Sequence, residues 1–154
     1  MDKKFIHSGQ LIVAKSHTEI HTVLGSCVAV CLYDPTTQIS GLNHYLLPFW
    51  NNDGLMSPKY GNISIPKLIE EMEKVGCKKQ NIIAKVFGGA NQYNLDATEG
   101  FIGDRNFKVA EKILTENGIK IVAKDVGGQN GRKVVMDSKT GKIKMRYVQK
   151  VGDK

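Results

Sequence analysis

The chain has 154 residues, 41% of them hydrophobic and 24% charged, with a net charge of +7. This length suits one domain over residues 1–154, and no apolar run approaches the ~18 residues that a membrane-spanning helix needs. Three cysteines, an odd number, argue against a secreted disulfide framework and for a reducing, cytoplasmic compartment.

The first residues, "MDKKFIHSGQLIVAKSH", lack the apolar core of a signal peptide. Gln10 to Ala14 reads as a short strand. Val23 to Tyr33 is apolar and β-branched on both faces, as a single buried strand would be. Asp34-Pro35-Thr36-Thr37 has turn chemistry, and Gln38 to Leu47 returns as a strand stopped by Pro48. Phe49 to Tyr60 reads as a loop. A helix is expected over Ile65 to Val75, with Pro66 in its first turn, Leu68, Ile69, Met72 and Val75 on one face, and Gly76 ending it.

Asn81 to Phe87 is a buried strand that runs into Gly88-Gly89, and Asn91 to Gly103 reads as a loop. Asp104 is placed to cap a second helix with Phe107, Ala110, Ile113 and Leu114 on its apolar face and Gly118 at its end. Ile119 to Val126 is a strand. Lys133 to Met136 and Lys142 to Gln149 form an exposed hairpin about "DSKTG". Strands outnumber helices and the two are interspersed. The fold class is α/β of the α+β kind, a mixed β-sheet sandwich with flanking helices.

The chemistry concentrates in "LGSCVAVCLYD" and "LNHYLLP". A turn over Asp34 to Thr37 sets Tyr33 opposite Gln38, Cys31 opposite Ser40 and Cys27 opposite His44, where Cβ atoms sit ~4.5–5.5 Å apart. A slip of one residue would separate thiol and imidazole onto opposite faces. An imidazolium beside a thiol lowers its pKa from ~8.5 by several units, yields a nucleophile and supplies a proton to the leaving group. Gly25 and Ser26 leave the backbone N–H groups there uncrowded for a developing oxyanion.

Cys31 and Cys77 read as packing, and His7 and His17 as ordinary core or surface residues. Cys27 and Cys31, four apart on one strand, would be ~13 Å apart, too far to share a zinc ion with His44. No metal is expected. The lysines are scattered without an arginine-rich arm, so the charge signals a solvated basic surface first, an acidic protein partner second and nucleic acid last.

The segments "TVLGSCVAVCLYD", "GLNHYLLP", "KVFGGANQ", "IGDRN" and "DVGGQNGRKV", in this order over about Ile12 to Met145, resemble the CheD family of chemoreceptor glutamine deamidases. The resemblance implies a cysteine hydrolase that needs no metal or organic cofactor. Cys27 would be its nucleophile, His44 its base and acid, and Thr22 the third member of a Cys-His-Thr site. Strand alternation from Cys27 would instead place His21 on the catalytic face. Ser26, Gly88 and Gly89 become candidates for substrate or oxyanion contacts, with an ordinary turn as the equal alternative for the two glycines.

The implied substrate is a glutamine side chain on the cytoplasmic domain of methyl-accepting chemotaxis receptors, converted to glutamate through a thioester. The same acyl chemistry would extend to receptor methyl esters. The implied partner is the phosphatase CheC, and no nucleic acid or membrane insertion is involved; the chain is expected to be a monomer. Asp104-Arg105-Asn106 reads as a helix cap with an ion pair. Trp50 either anchors a partner helix or covers the core. The alternative function is a non-catalytic regulatory module that binds CheC or the receptor, and a third is a cysteine protease or acyltransferase of other specificity. The Cys27–His44 register favours the enzyme.

Overall fold

Val28, Val30 and Leu32 point one way along the central strand, Ala29 and Cys31 the other, and all five are fully buried. Such a strand needs apolar cover on both faces. The computed structural model, which describes residues 1–91 and 101–148, supplies it in three layers.

The elements in chain order are β1 (Asp2–Phe5), β2 (Leu11–Ala14), β3 (Thr18–Leu24), β4 (Val28–Asp34), β5 (Ile39–Asn43), α1 (Gly61–Lys74), β6 (Ile83–Gly88), α2 (Ile102–Glu116), β7 (Lys120–Asp125), β8 (Gly131–Asp137) and β9 (Ile143–Val148). One sheet has the order β2-β5-β4-β6-β7 and the other β1-β3-β8-β9. Ile65, Leu68, Ile69 and Met72 of α1, with Val109, Ala110 and Leu114 of α2, cover the Val28, Val30, Leu32 face of the five-stranded sheet. Ile20, Leu24, Val134 and Met136 of the four-stranded sheet cover its other face, against Ala29, Cys31, Leu42 and Phe87. The mixed α+β sandwich is the architecture, with both helices on one side of it.

Several boundaries differ from the sequence expectation. The run Val23 to Tyr33 is two strands in two sheets: β3 ends at Leu24, and β4 begins at Val28 after Gly25-Ser26-Cys27 has carried the chain across. Apolar character on both faces could not reveal this, because each strand is buried in its own sheet. The β4–β5 turn runs one residue further than expected. Asp34 Oδ1 accepts from the N–H groups of Thr36 and Thr37, Gln38 adopts a left-handed φ of 57°, and its N–H closes on the Asp34 carbonyl at 2.8 Å. Asp34 therefore pairs with Ile39, Tyr33 with Ser40 and Cys31 with Leu42, a shift of two positions in every pair.

Helix α1 starts a turn earlier than expected, with Pro66 inside it, and Gly76 at φ 102° follows its end. Helix α2 starts at Ile102 with Phe101 as the cap residue, so Asp104 sits in the first turn and accepts from Asn91 Nδ2 instead of capping. Most of the expected 91–103 loop, and Gln149, lie outside the described residues. The β8–β9 hairpin is half inside: Val134 and Met136 are fully buried, while Lys144 and Arg146 are exposed. Strand β1, exposed throughout and polar up to Phe5, carries no apolar periodicity, and the sequence gives no sign of it.

Candidate active site

Three side chains line one cavity at one end of the seam between the sheets. Along β3, Ile20, Thr22 and Leu24 face inward, as their pairing with the buried Met136, Val134 and Arg132 shows. Across the seam, Leu42 faces the same core from β5, and His44, two residues on, continues that face. Cys27 sits just ahead of β4 in phase with Ala29 and Cys31 and packs against the same core. All three line a cavity of about 360 Å³ together with Ile6, His7, Phe5 and Val23. A larger groove of about 680 Å³ between α2 and β7 holds no cysteine or histidine.

The expected direct opposition of Cys27 and His44 is not what forms. Val28 bridges Tyr45 in the shifted register, so Cys27 and His44 are diagonal neighbours. A shift of two positions preserves side-chain parity, so both remain on one face. His21 does not join them. Its side chain lies on the outer face of the four-stranded sheet, where Nε2 meets Glu19 Oε1 at 2.7 Å and the ring stacks on Phe5 at 4.7 Å. Alternation counted back from Cys27 fails because the chain changes sheets between the two residues.

Thr22 instead reaches His44, with Oγ1 and Nδ1 2.7 Å apart. The same hydroxyl is 2.8 Å from the Ile6 carbonyl oxygen. A threonine hydroxyl owns one proton, and a carbonyl oxygen can only accept. The proton therefore goes to Ile6, and Oγ1 accepts from His44 Nδ1–H. That assignment leaves the lone pair of the neutral ring on Nε2, the tautomer a general base requires. The Ile6 carbonyl, a main-chain group with no signature in sequence, thus selects which imidazole nitrogen is basic.

Electrostatics departs from the expected ion pair. Burial pushes the Cys27 thiol up to about 11. Burial also drives the His44 imidazole down to about 4, with the nearby His7 adding to the effect. Both shifts run against a thiolate–imidazolium pair, since burial raises the thiol and lowers the imidazole. The resting pair is a neutral thiol and a neutral imidazole, because desolvation outweighs the attraction the sequence reading relied on.

Gly88 and Gly89, joined by a cis peptide bond, do not line the cavity. They press against the backbone on the other side of Cys27: a Cβ on Gly88 would collide with the Cys27 carbonyl oxygen, and one on Gly89 with that of Ser26. Ser26 likewise stays outside the cavity, and its carbonyl accepts from Asn106 Nδ2 at 3.0 Å. The same Asn106 amide donates to the Leu46 carbonyl at 2.8 Å, tying the segment before Cys27 to the segment after His44. "IGDRN" therefore supplies a buried clamp through its asparagine. Trp50 is half-buried, with Nε1 on the Asp53 carbonyl at 3.2 Å, while Phe49, Leu55 and Met56 of the same loop are exposed.

Cys31 is fully buried, directs its thiol at Met136 Sδ and is pushed up to about 12 by burial, as packing requires. Among the described residues no group of three His, Cys, Asp or Glu side chains is arranged to hold a metal ion. No helix among them is long and apolar enough to cross a membrane.

Residues 46–147 match the family described as CheD chemotactic sensory transduction. The chain is 59% identical over 150 residues to a probable chemoreceptor glutamine deamidase CheD of Sulfurimonas denitrificans, covering 97% of this chain and 96% of that protein. It is 45% identical over 141 residues to the protein of the same description in Trichlorobacter lovleyi, covering 92% and 88% respectively. A crystal structure of the Bacillus licheniformis hypothetical protein YfiH aligns with 73% of this chain and 48% of its own at 16% identity, with a TM-score of 0.45. On the extent and identity of its matches to the sequences, the chain belongs to the CheD family.

Proposed function

We propose that this protein is a cysteine-dependent protein-glutamine deamidase that converts glutamine side chains on the cytoplasmic domain of chemotaxis receptors to glutamate. One observation carries the reading. The Ile6–Thr22–His44 hydrogen-bond chain leaves a basic Nε2 in the cavity that also holds the Cys27 thiol.

In this mechanism Cys27 Sγ attacks the carboxamide carbon while its proton passes to His44 Nε2, so the ion pair forms only as the new bond does. The Cys27 N–H precedes the ladder of β4, which starts at Val28, and is the donor assigned to the oxyanion. His44 then gives its proton to the amide nitrogen, the C–N bond breaks and ammonia leaves a thioester. Water, deprotonated by the same nitrogen, attacks the thioester; the acid is released and the thiol regenerated. The role of Gly88 and Gly89 is to let backbone pack close behind Cys27, and no substrate contact is assigned to them or to Ser26. The same steps accept a methyl ester, with methanol leaving in place of ammonia.

The protein is further proposed to act as a single-domain cytoplasmic monomer with a CheC-type phosphatase as its regulator. The neutral resting pair favours a second reading, a regulatory module with little turnover. Incubation with a receptor cytoplasmic domain separates the two. Deamidation gives the mass gain of exchanging NH₂ for OH at a glutamine, absent with Cys27→Ala. A folded protein that leaves its cognate receptor's mass unchanged has no deamidase function there.

A further inference from the structure

The outer face of the four-stranded sheet carries charges placed against its own stability. Inward positions on β8 and β9 are Val134 with Met145 and Met136 with Ile143, so Lys133, Val135, Lys144 and Arg146 point outward. Lys133 stands directly opposite Arg146, and like charges so placed destabilise a ladder. Among the described residues, neither is in an ion pair. The carboxylates of this face are engaged with other groups, Glu19 with Lys3 and His21 and, at longer range, Lys144, and Asp137 with His17, which leaves Lys133 and Arg146 as the uncompensated pair.

This basic row runs straight to the catalytic cavity. Lys133 pairs with Val23, and His21 with Phe5 on one side and Val135 on the other. Val23 and Phe5 are 56% and 59% exposed and form part of the cavity's lining. An apolar lip beside the thiol is thus continuous with an uncompensated cationic pair one strand further out.

We propose that this face docks the substrate, and that its occupant is a polypeptide segment with carboxylates flanking the target glutamine. The proposal rests on the deamidase reading above and adds what that site recognises. Phe5 and Val23 take apolar side chains next to the glutamine, and Lys133 and Arg146 take the carboxylates. The like-charge opposition is then a stability cost kept for binding.

The test is Arg146→Glu, with deamidation of a receptor cytoplasmic domain measured at low and physiological salt. The substitution sets a carboxylate opposite Lys133, so thermal stability should hold or rise while KM rises about tenfold, kcat stays within about twofold, and the salt dependence of kcat/KM flattens. Arg146→Lys should match the wild type. Equal KM and equal salt response in Arg146→Glu overturn the proposal, as does a variant that loses only binding to duplex DNA. Absence of wild-type turnover removes the deamidase reading instead. The face is then judged by the affinity of Cys27→Ala for the receptor fragment, and an affinity unmoved by Arg146→Glu overturns it.

Discussion

Replacing Thr22 by valine removes one oxygen and keeps the shape of the side chain. The residue is 2% exposed and His44 5%, so bulk water has little access to the bond that is lost. Two partners lose their bond, the Ile6 carbonyl and His44 Nδ1–H. A buried polar group left unsatisfied costs about 1–3 kcal/mol, so Thr22→Val should lose about 2–4 kcal/mol of stability. For a chain of this length that is a drop in Tm of roughly 5–15 °C. The effect on turnover has a separate origin: with no acceptor on Nδ1, the ring is free to place its proton on Nε2, the wrong nitrogen for a base. A loss of kcat on the order of 10²–10⁴ follows. Thr22→Ser keeps the hydroxyl and should retain most of both. Urea denaturation reads the first effect, and single-turnover deamidation of the folded variant reads the second. Stability of Thr22→Val within ~0.5 kcal/mol of wild type would refute the buried bond. Unchanged turnover would refute the tautomer argument alone.

Two more outcomes follow from the same geometry. Between about 4 and the unfolded value of 6.5, the unfolded chain binds a proton that folded His44 refuses. Stability is therefore full above pH 6.5 and falls as pH drops towards 4, by roughly 3 kcal/mol; His44→Gln should remove that part of the pH profile in urea titrations. An identical acid slope in both proteins defeats the burial account. Arg132, 2% exposed, joins the β7–β8 connection through Asp125 Oδ1 at 2.9 Å, the Gly127 carbonyl at 2.7 Å and the Asn130 carbonyl at 3.4 Å. Because Asp125 is 32% exposed and screened, Arg132→Leu should cost about 2–4 kcal/mol, less than breaking a fully buried pair; no loss in a denaturant titration contradicts the clamp.

The sequence was legible where one period governed one environment. Leu68, Ile69 and Met72 marked the buried stripe of α1, and Ala110 with Leu114 that of α2, since each helix packs on a single sheet. The face shared by Cys27 and His44 survived a misjudged turn because the error in register was even. The expectation failed where the chain changed sheets. No local pattern distinguishes Gly25-Ser26-Cys27 as a crossover from the middle of a strand, and with it went the choice between His21 and Thr22. Asn106 was visible as a residue but not as a clamp, since its partners Ser26 and Leu46 are 80 and 60 positions away. Reading the thiol's acidity needed the burial of both partners, a quantity that spacing along a chain does not contain.

Among the described residues, the connection through Gly25-Ser26-Cys27 is one of four crossings between the sheets, the others being β1 to β2, β2 to β3 and β7 to β8. Three of them, all but β2 to β3, gather at the end where Val28 meets Gly88 and Leu24 meets Arg132. The opposite end has one crossing and relies on side-chain bonds such as Ser40 Oγ to the Ser138 carbonyl at 2.6 Å. The sandwich is thus bound like a book along one edge, and sliding or breathing of the two sheets has its shortest lever arm at the spine. Thr22 on one page and His44 on the other sit beside that spine, where thermal excursions that open the far margin move them least.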